Sequence, residues 1–215
     1  MVNVAVIDYD MGNLHSACKG LEKAGAFPQI TNSPQDILTA DAVVLPGVGA
    51  FDPAMRHIRE RNLEETIKKA IATGKPFLGI CLGLQILFDG SAEGTERGLG
   101  IVPGIVRRFK SEPGITVPQI GWNQLEFNQP NHPLWQGLSP EPYVYFVNSF
   151  YAAPQESQFN SAMVTHGSQT VTAAIARDNL MAVQFHPEKS SDNGLQILSN
   201  FVTLIKNQQN VVANF

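Results

Sequence analysis

The residues with the clearest chemical potential surround a thiol. Gly79-Ile80-Cys81-Leu82-Gly83 follows the apolar pair Phe77-Leu78 and leads into helix-forming residues. Glycines two before and two after the central residue let the backbone turn tightly and let the flanking elements pack closely. This is the design of a nucleophile elbow, with sulfur in place of a serine oxygen. Such a turn projects its side chain from the carboxyl edge of an open α/β sheet, where ligands bind. It also places the side chain at a helix N-terminus, whose unpaired N–H groups and dipole favour an anion. Most free cysteines are simply buried, but the glycine bracket at a strand-to-helix junction turns this reading toward chemistry. Cys18 has no such bracket, lies on the apolar side of an expected helix, and reads as core.

A nucleophilic thiol needs a base, and the base needs a group to hold its tautomer and orientation. Gln184-Phe185-His186-Pro187-Glu188 offers both after the apolar run Met181-Ala182-Val183. In extended chain, alternate side chains share a face, so His186 and Glu188 are expected to point the same way, with Pro187 stiffening the link. A lone His-x-Glu is usually a surface ion pair or a turn; its value here comes from the strand-end setting. His15, His57, His132 and His166 have no carboxylate in such a setting. The third piece is Pro46-Gly47-Val48-Gly49-Ala50-Phe51, after the buried run ending at Leu45. Its glycines let N–H groups converge on a small anion, as the tetrahedral intermediate of acyl transfer requires. No Gly-Lys-Ser/Thr follows to make it a phosphate loop. The three pieces require that Cys81 and His186 sit at the carboxyl ends of neighbouring strands.

The elements that must position these groups follow a βαβ rhythm. Residues 2–8 and 42–45 read as buried strands, 13–24 and 53–72 as helices, 77–80 as a strand and 82–88 as the helix that leaves the elbow. This pattern argues for a mostly parallel central sheet with helices on both faces. After Gly98 the texture becomes β-rich, with short strands expected over 101–102, 105–109, 117–122, 143–151, 162–165, 171–176 and 181–185. A last helix is expected over 192–207, capped by Asp192 and buried through Leu195, Leu198, Val202 and Ile205. No repeat, linker or low-complexity tract interrupts the chain, so residues 1–215 read as one domain.

Composition narrows the function classes. Of 215 residues, 43% are hydrophobic and 16% charged, which suits a soluble globular protein. The formal net charge of −4, without a basic stripe, argues against a nucleic-acid partner. The longest apolar stretch, 76–88, carries two glycines and a glutamine and is too short to span a membrane. The opening strand lacks the basic flank of a secretory signal. Two cysteines in a chain with ample core read as reduced thiols in the cytoplasm.

Taken together, Gly79-Ile80-Cys81-Leu82-Gly83-Leu84-Gln85 and His186-Pro187-Glu188 resemble the class I, triad-type glutamine amidotransferases. Within that family the likeness is to the amidotransferase subunits of imidazole glycerol phosphate synthases. It extends over essentially the whole chain, through 7–14 (Ile-Asp-Tyr-Asp-Met-Gly-Asn-Leu), the loop 45–51, Ile120-Gly121-Trp122-Asn123 and Pro187-Glu188-Lys189-Ser190. One segment departs: in 145–150 Asn148 and Phe150 stand where many relatives have histidine and tyrosine, and Asn148 receives no functional role.

The resemblance implies a class I glutamine amidotransferase-like, flavodoxin-like α/β fold. It implies that Cys81 attacks the glutamine amide, that His186 protonates the leaving ammonia and then activates water, and that Glu188 orients His186. Backbone at Val48, Gly49 and Leu82 would cradle the oxyanion, and Gln85 and Glu93 would grip the α-carboxylate and α-amino ends of the substrate. It implies a (β/α)8-barrel cyclase as heterodimer partner, receiving the ammonia, and neither metal nor organic cofactor. The partner is expected near Cys81 and a turn at Gly121-Trp122-Asn123. The Gly-x-Gly loop suggests an oxyanion site misoriented in the isolated chain and corrected on assembly. Other readings remain open at this point: an amidotransferase subunit of another synthase, an inactive partner-regulating module on the same fold, and a cysteine peptidase or hydrolase.

Overall fold

Strands that are apolar at nearly every position need cover on both faces. In the computed structural model, which describes residues 2–213, the chain supplies it. The first half runs β1 (Val2–Ile7), α1 (Leu14–Lys23), β2 (Ala26–Thr31), α2 (Pro34–Thr39), β3 (Ala42–Gly47), α3 (Phe51–Glu60) and α4 (Glu64–Ala72). Then come β4 (Phe77–Cys81), α5 (Leu82–Gln85), β5 (Phe88–Ser91), β6 (Val102–Arg108), β7 (Gln119–Gln124) and β8 (Glu126–Phe127). The chain closes with β9 (Tyr143–Asn148), β10 (Phe150–Pro154), β11 (Asn160–His166), β12 (Gln169–Arg177), β13 (Leu180–Val183) and α6 (Ser191–Ala213).

Eight strands form the central sheet in the order β2-β1-β3-β4-β13-β12-β11-β8. The first five are parallel, and β12, β11 and β8 extend the sheet antiparallel. Alternation along β1 shows how one strand serves two cores. Val4 and Val6 join Cys18 and Leu21 of α1 and Phe201 and Val202 of α6, while Ala5 and Ile7 join Ile37 of α2, Met55 and Ile58 of α3 and Ile67 of α4. A three-stranded sheet, β10-β6-β5, and a two-stranded ribbon, β7-β9, flank the main one. The expected mostly parallel sheet with helices on both faces and a β-rich second half is the observed architecture.

Local departures have local causes. The single helix expected over 53–72 is two helices, because Asn62 takes a left-handed conformation (φ 55°) that asparagine tolerates and a helix does not. The helix expected over 82–88 stops at Gln85; Phe88 turns instead into a strand that β6 can pair. The segment 143–151 divides at Ser149 into β9 and β10, which belong to different sheets. Gly121-Trp122-Asn123 is no turn but the middle of β7. The last helix begins at Ser191, so Asp192 lies in its first turn rather than at its cap, and Ile197 and Phe201 are fully buried where Leu195 is only half-buried. Several elements lack any sequence expectation, β2 and α2 among them. β2 is an edge strand, where Pro28 needs no ladder donor. α2 starts on a Ser33 cap that accepts from Asp36 N, with Pro34 at its first position.

Candidate active site

The central parallel pair sets the geometry. β13 runs beside β4 with Val183 opposite Ile80, so the residues that follow on both strands leave the sheet at the same edge. Cys81 ends β4 and caps α5 in a conformation rare for a side-chain-bearing residue, φ 56° and ψ −109°. The glycines around it have measurable work to do. A methyl on Gly83 would lie 1.8 Å from the Leu45 carbonyl oxygen, and one on Gly79 would lie 2.9 Å from the Gly83 oxygen. A third close approach is at Gly47, opposite Cys81 on β3, where a methyl would meet the Tyr9 hydroxyl at 2.2 Å and Leu82 Cβ at 2.9 Å. The bend is possible because three backbones meet without side chains between them.

His186 leaves the end of β13 in an extended conformation, but the chain does not stay extended. Pro187–Lys189 forms a 3-10 turn with Pro187 at its first position. Glu188 therefore meets His186 through a turn and not by strand alternation; the expected pairing is present for a different reason. His186 Nδ1 and Glu188 Oε1 are 2.8 Å apart, and the two side chains are 2% and 4% exposed. A carboxylate accepts only, so Nδ1 carries the hydrogen and Nε2 is left for the thiol side. Burial works against charge on this ring. The Cys81 sulfur and the Glu188 carboxylate outweigh it and push the His186 pKa up to about 9. Nε2 is buried without a hydrogen-bond partner, as is Glu188 Oε2.

The backbone of this turn is pinned by a residue that the sequence motifs include but give no role. Ser190 Oγ donates to the His186 carbonyl at 2.6 Å and accepts from Tyr145 N at 2.9 Å, while His186 N donates to the Tyr145 carbonyl at 2.9 Å. Tyr9 is a second missed residue. It is fully buried beside the elbow, its hydroxyl has no partner, and burial together with the charge of Cys81 pushes its pKa well above the usual phenol range. It stays a neutral phenol. A third, Gln184, donates from Nε2 to Cys81 Sγ at 3.7 Å. Its only sequence signal was its place in the His186 segment.

A pocket of about 270 Å³ opens on the sulfur. Val48, Gly49, Cys81, Leu82, Gln85, Glu93, Asn148, Phe150 and His186 all line it, which brings together every residue singled out from the sequence except Glu188, the one behind the imidazole. Gly49 has a left-handed backbone (φ 103°) and Val48 beside it is 38% exposed. Glu93 Oε2 accepts from Phe51 N at 2.9 Å, tying the far wall to the start of α3. Asn148 lies in the wall and donates to the Phe150 carbonyl at 2.9 Å, with its own oxygen unpartnered. A larger cavity of about 430 Å³, between α1 and the start of α6, is lined by Glu188 and shares no lining residue with the one at the sulfur. The smaller one holds the thiol and the imidazole.

Comparisons with known proteins agree with this geometry. The family model described as glutamine amidotransferase class-I matches residues 5–205. The imidazole glycerol phosphate synthase subunit HisH of Microcystis aeruginosa (strain NIES-843 / IAM M-2473) is 71% identical over 96% of this chain and 97% of its own length. The protein of the same name from Gloeothece citriformis (strain PCC 7424) is 69% identical over 96% and 98%. Among solved structures, PurLQS from Thermotoga maritima superposes with a TM-score of 0.74 at 19% identity, covering 95% of this chain and 99% of that one. The glutaminase domain of Trypanosoma brucei CTPS, with bound acivicin, gives 0.64 at 14%, covering 94% of each. These two establish likeness of fold alone. A thiol on a strained elbow, an imidazole from the adjacent strand and a family match over nearly the whole chain lead to one statement: the chain belongs to the class I glutamine amidotransferases.

Proposed function

We propose that this chain is the glutaminase subunit of an imidazole glycerol phosphate synthase, acting in histidine biosynthesis. The observation that carries the chemistry is the convergence of Cys81, His186 and Glu188 at the ends of two adjacent parallel strands. Likeness of about 70% to subunits of that name carries the pathway. Cys81 sulfur, its proton passed to His186 Nε2, attacks the side-chain carbon of glutamine. The resulting oxyanion is received by backbone N–H groups of Leu82 and of the Val48-Gly49 loop. As the carbon–nitrogen bond breaks, His186 gives its proton to the departing nitrogen, and ammonia and a glutamyl thioester result. Water then loses a proton to His186 and attacks the thioester; the carbon–sulfur bond breaks, His186 returns that proton to the sulfur, and glutamate leaves. Glu188 holds the imidazole tautomer throughout and steadies its positive charge.

Hydrogen bonding supports one orientation of the substrate. Glu93 is a carboxylate and can only accept. Both amide hydrogens of Gln85 are engaged, one by the Phe150 carbonyl at 3.1 Å and one by Gln184 Oε1 at 3.0 Å, so Gln85 also offers the pocket an acceptor. Two acceptors suit the α-ammonium end of glutamine, and this reading gives both residues to that end and neither to the α-carboxylate.

The ammonia needs a receiver. The outer face of the β7-β9 ribbon presents Ile120 at 63% exposure and Trp122 at 52%, with Tyr143 and Val147 beside them and Val48 nearby at the pocket mouth. An apolar patch at the exit of a reactive site suits a protein partner, and a (β/α)8-barrel cyclase in a heterodimer is the partner this reading requires. The chain would act as one domain in the cytoplasm, in keeping with two unpaired thiols. Among the described residues no helix is long and apolar enough to cross a membrane.

The test is glutamate release by the purified chain, with and without the cyclase and its nucleotide ligand. Release is expected to be weak from the chain alone and strongly stimulated in the complex, with a left-handed Gly49 and an exposed Val48 reorganising on assembly. Equal activity alone and in complex would remove the assembly switch. Hydrolysis of peptides or esters without glutamine specificity would overturn the assignment itself.

A further inference from the structure

A buried chain of amides leads from a backbone carbonyl to the reacting sulfur, and its polarity can be worked out without seeing a hydrogen. The Phe150 carbonyl can only accept, so the side-chain group of Gln85 that faces it at 3.1 Å is the NH₂. The same NH₂ faces Gln184 at 3.0 Å, so Gln184 presents its oxygen there. Its own NH₂ is then turned toward Cys81 Sγ, at 3.7 Å. An amide free to turn over could present either a donor or an acceptor to the sulfur. Here one carbonyl, two residues away in the relay, settles which it is.

The placement is enforced as well as the polarity. Val183 lies opposite Ile80, so the next residue on β13 comes alongside Cys81. Gln184 N donates to the Ala173 carbonyl at 2.8 Å, which holds the backbone to β12 just past the end of the ladder. Gln184 is 1% exposed and Gln85 6%, so water does not compete for these groups. A long polar side chain inside the core beneath an active site is costly unless it is fully engaged. Both of Gln184's polar atoms have partners, and one partner is the nucleophile.

We infer that Gln184 is the donor that stabilises the Cys81 thiolate and holds its rotamer, with Gln85 as the positioning residue that fixes the amide's direction. A hydrogen bond given to the charged form of an acid favours that form, and more so where the surroundings are dry. The inference rests on Cys81 being the nucleophile of the proposed reaction. It adds a coupling to that reading, because Gln85 touches both the substrate pocket and the relay. Substrate seated against Gln85 therefore acts on the same hydrogen-bonded chain that ends at the sulfur.

The experiment is the pH dependence of Cys81 alkylation by iodoacetamide, read on the Cys81 peptide by mass spectrometry, in the wild-type chain, Gln184→Leu and Gln184→Glu. A hydrogen bond to a charged group corresponds to about a tenfold change in the thiolate equilibrium. The half-maximal pH is thus expected to rise by about one unit in Gln184→Leu and further in Gln184→Glu, which sets a carboxylate against the sulfur. Gln85→Met, which leaves Gln184 free to turn over, is expected to give a smaller rise. In the cyclase complex Gln184→Leu is expected to lower kcat about tenfold while KM for glutamine stays near wild type. A folded Gln184→Leu or Gln184→Glu with an unmoved alkylation profile overturns the inference. Alkylation needs no glutamine, so a wild-type cyclase complex that makes no glutamate would defeat the functional reading while leaving this comparison intact.

Discussion

Replacing Gly83 with alanine sets two physical effects against each other, and the structure decides between them. Gly83 lies in α5 with a helical backbone and no left-handed requirement, so propensity alone favours alanine by about 1 kcal/mol. The new methyl, however, would lie 1.8 Å from the Leu45 carbonyl oxygen and 2.9 Å from its carbon. Ordinary contact begins near 3.4 Å, so the elbow and β3 must separate by about 1.6 Å. No side chain can rotate to relieve this, because the obstructing atoms are backbone of a central strand. Overpacking of this kind costs about 1–3 kcal/mol, toward the upper end where backbone must move, and it outweighs the gain in propensity. The net loss of about 1–2 kcal/mol corresponds, for a chain of this size, to a fall in Tm of roughly 2–8 °C. The larger effect is on turnover, since misplacing a reacting group by about 1 Å costs about a hundredfold. The assay is kcat for glutamine hydrolysis in the cyclase complex together with thermal unfolding of the chain. Gly90→Ala serves as control, since its methyl would meet only the Glu96 carbonyl oxygen at 3.8 Å. A Gly83→Ala protein with wild-type turnover and unchanged Tm would refute the claim that backbone contact across β3 and α5 holds the nucleophile.

Three further outcomes follow from named groups. The folded-state pKa of His186 is raised from 6.5 to about 9, so its contribution to stability is fully present below about pH 6.5 and is lost as pH rises through about 9. Urea midpoints measured between pH 6 and 10 are expected to fall across that window. Cys81→Ser removes one of the groups that raise the pKa and is expected to move the fall to lower pH; midpoints with the same profile in both proteins would contradict this. Asp52 accepts from Thr95 N and Glu96 N, bonds that hold its carboxyl below the usual carboxylate range and anchor the loop that carries Glu93. Asp52→Asn retains only one of its two acceptor oxygens and is expected to raise KM for glutamine several-fold while changing kcat little, measured by steady-state kinetics in the complex. Ile120→Glu with Trp122→Ala is expected to weaken cyclase binding by about 30-fold or more, the scale of a buried anchor, with Tm of the isolated chain within a degree of wild type. Undiminished binding by calorimetry would place the partner elsewhere.

The residue types and spacings around Cys81, in the Val48-Gly49 loop and around His186 determined the kind of chemistry, because a glycine bracket and a His-x-Glu pair have few other uses in combination. Apolar runs without alternation likewise determined a parallel sheet covered on both faces. Tertiary structure decided the rest. Sequence periodicity carries no information about which strands are neighbours, so only the pairing of β4 with β13 brings a late imidazole to an early thiol. His186 and Glu188 met through a 3-10 turn and not an extended strand, since Ser190 and the distant Tyr145 hold that backbone. Gln184 and Tyr9 lie in quoted segments but drew no role, because a polar residue at a strand end and a tyrosine after a strand are common. Their meaning lies in what surrounds them. Hydrogen-bond direction, like the 1.8 Å approach at Gly83, belongs to groups far apart in the chain, and local sequence preference cannot encode a distance it does not span.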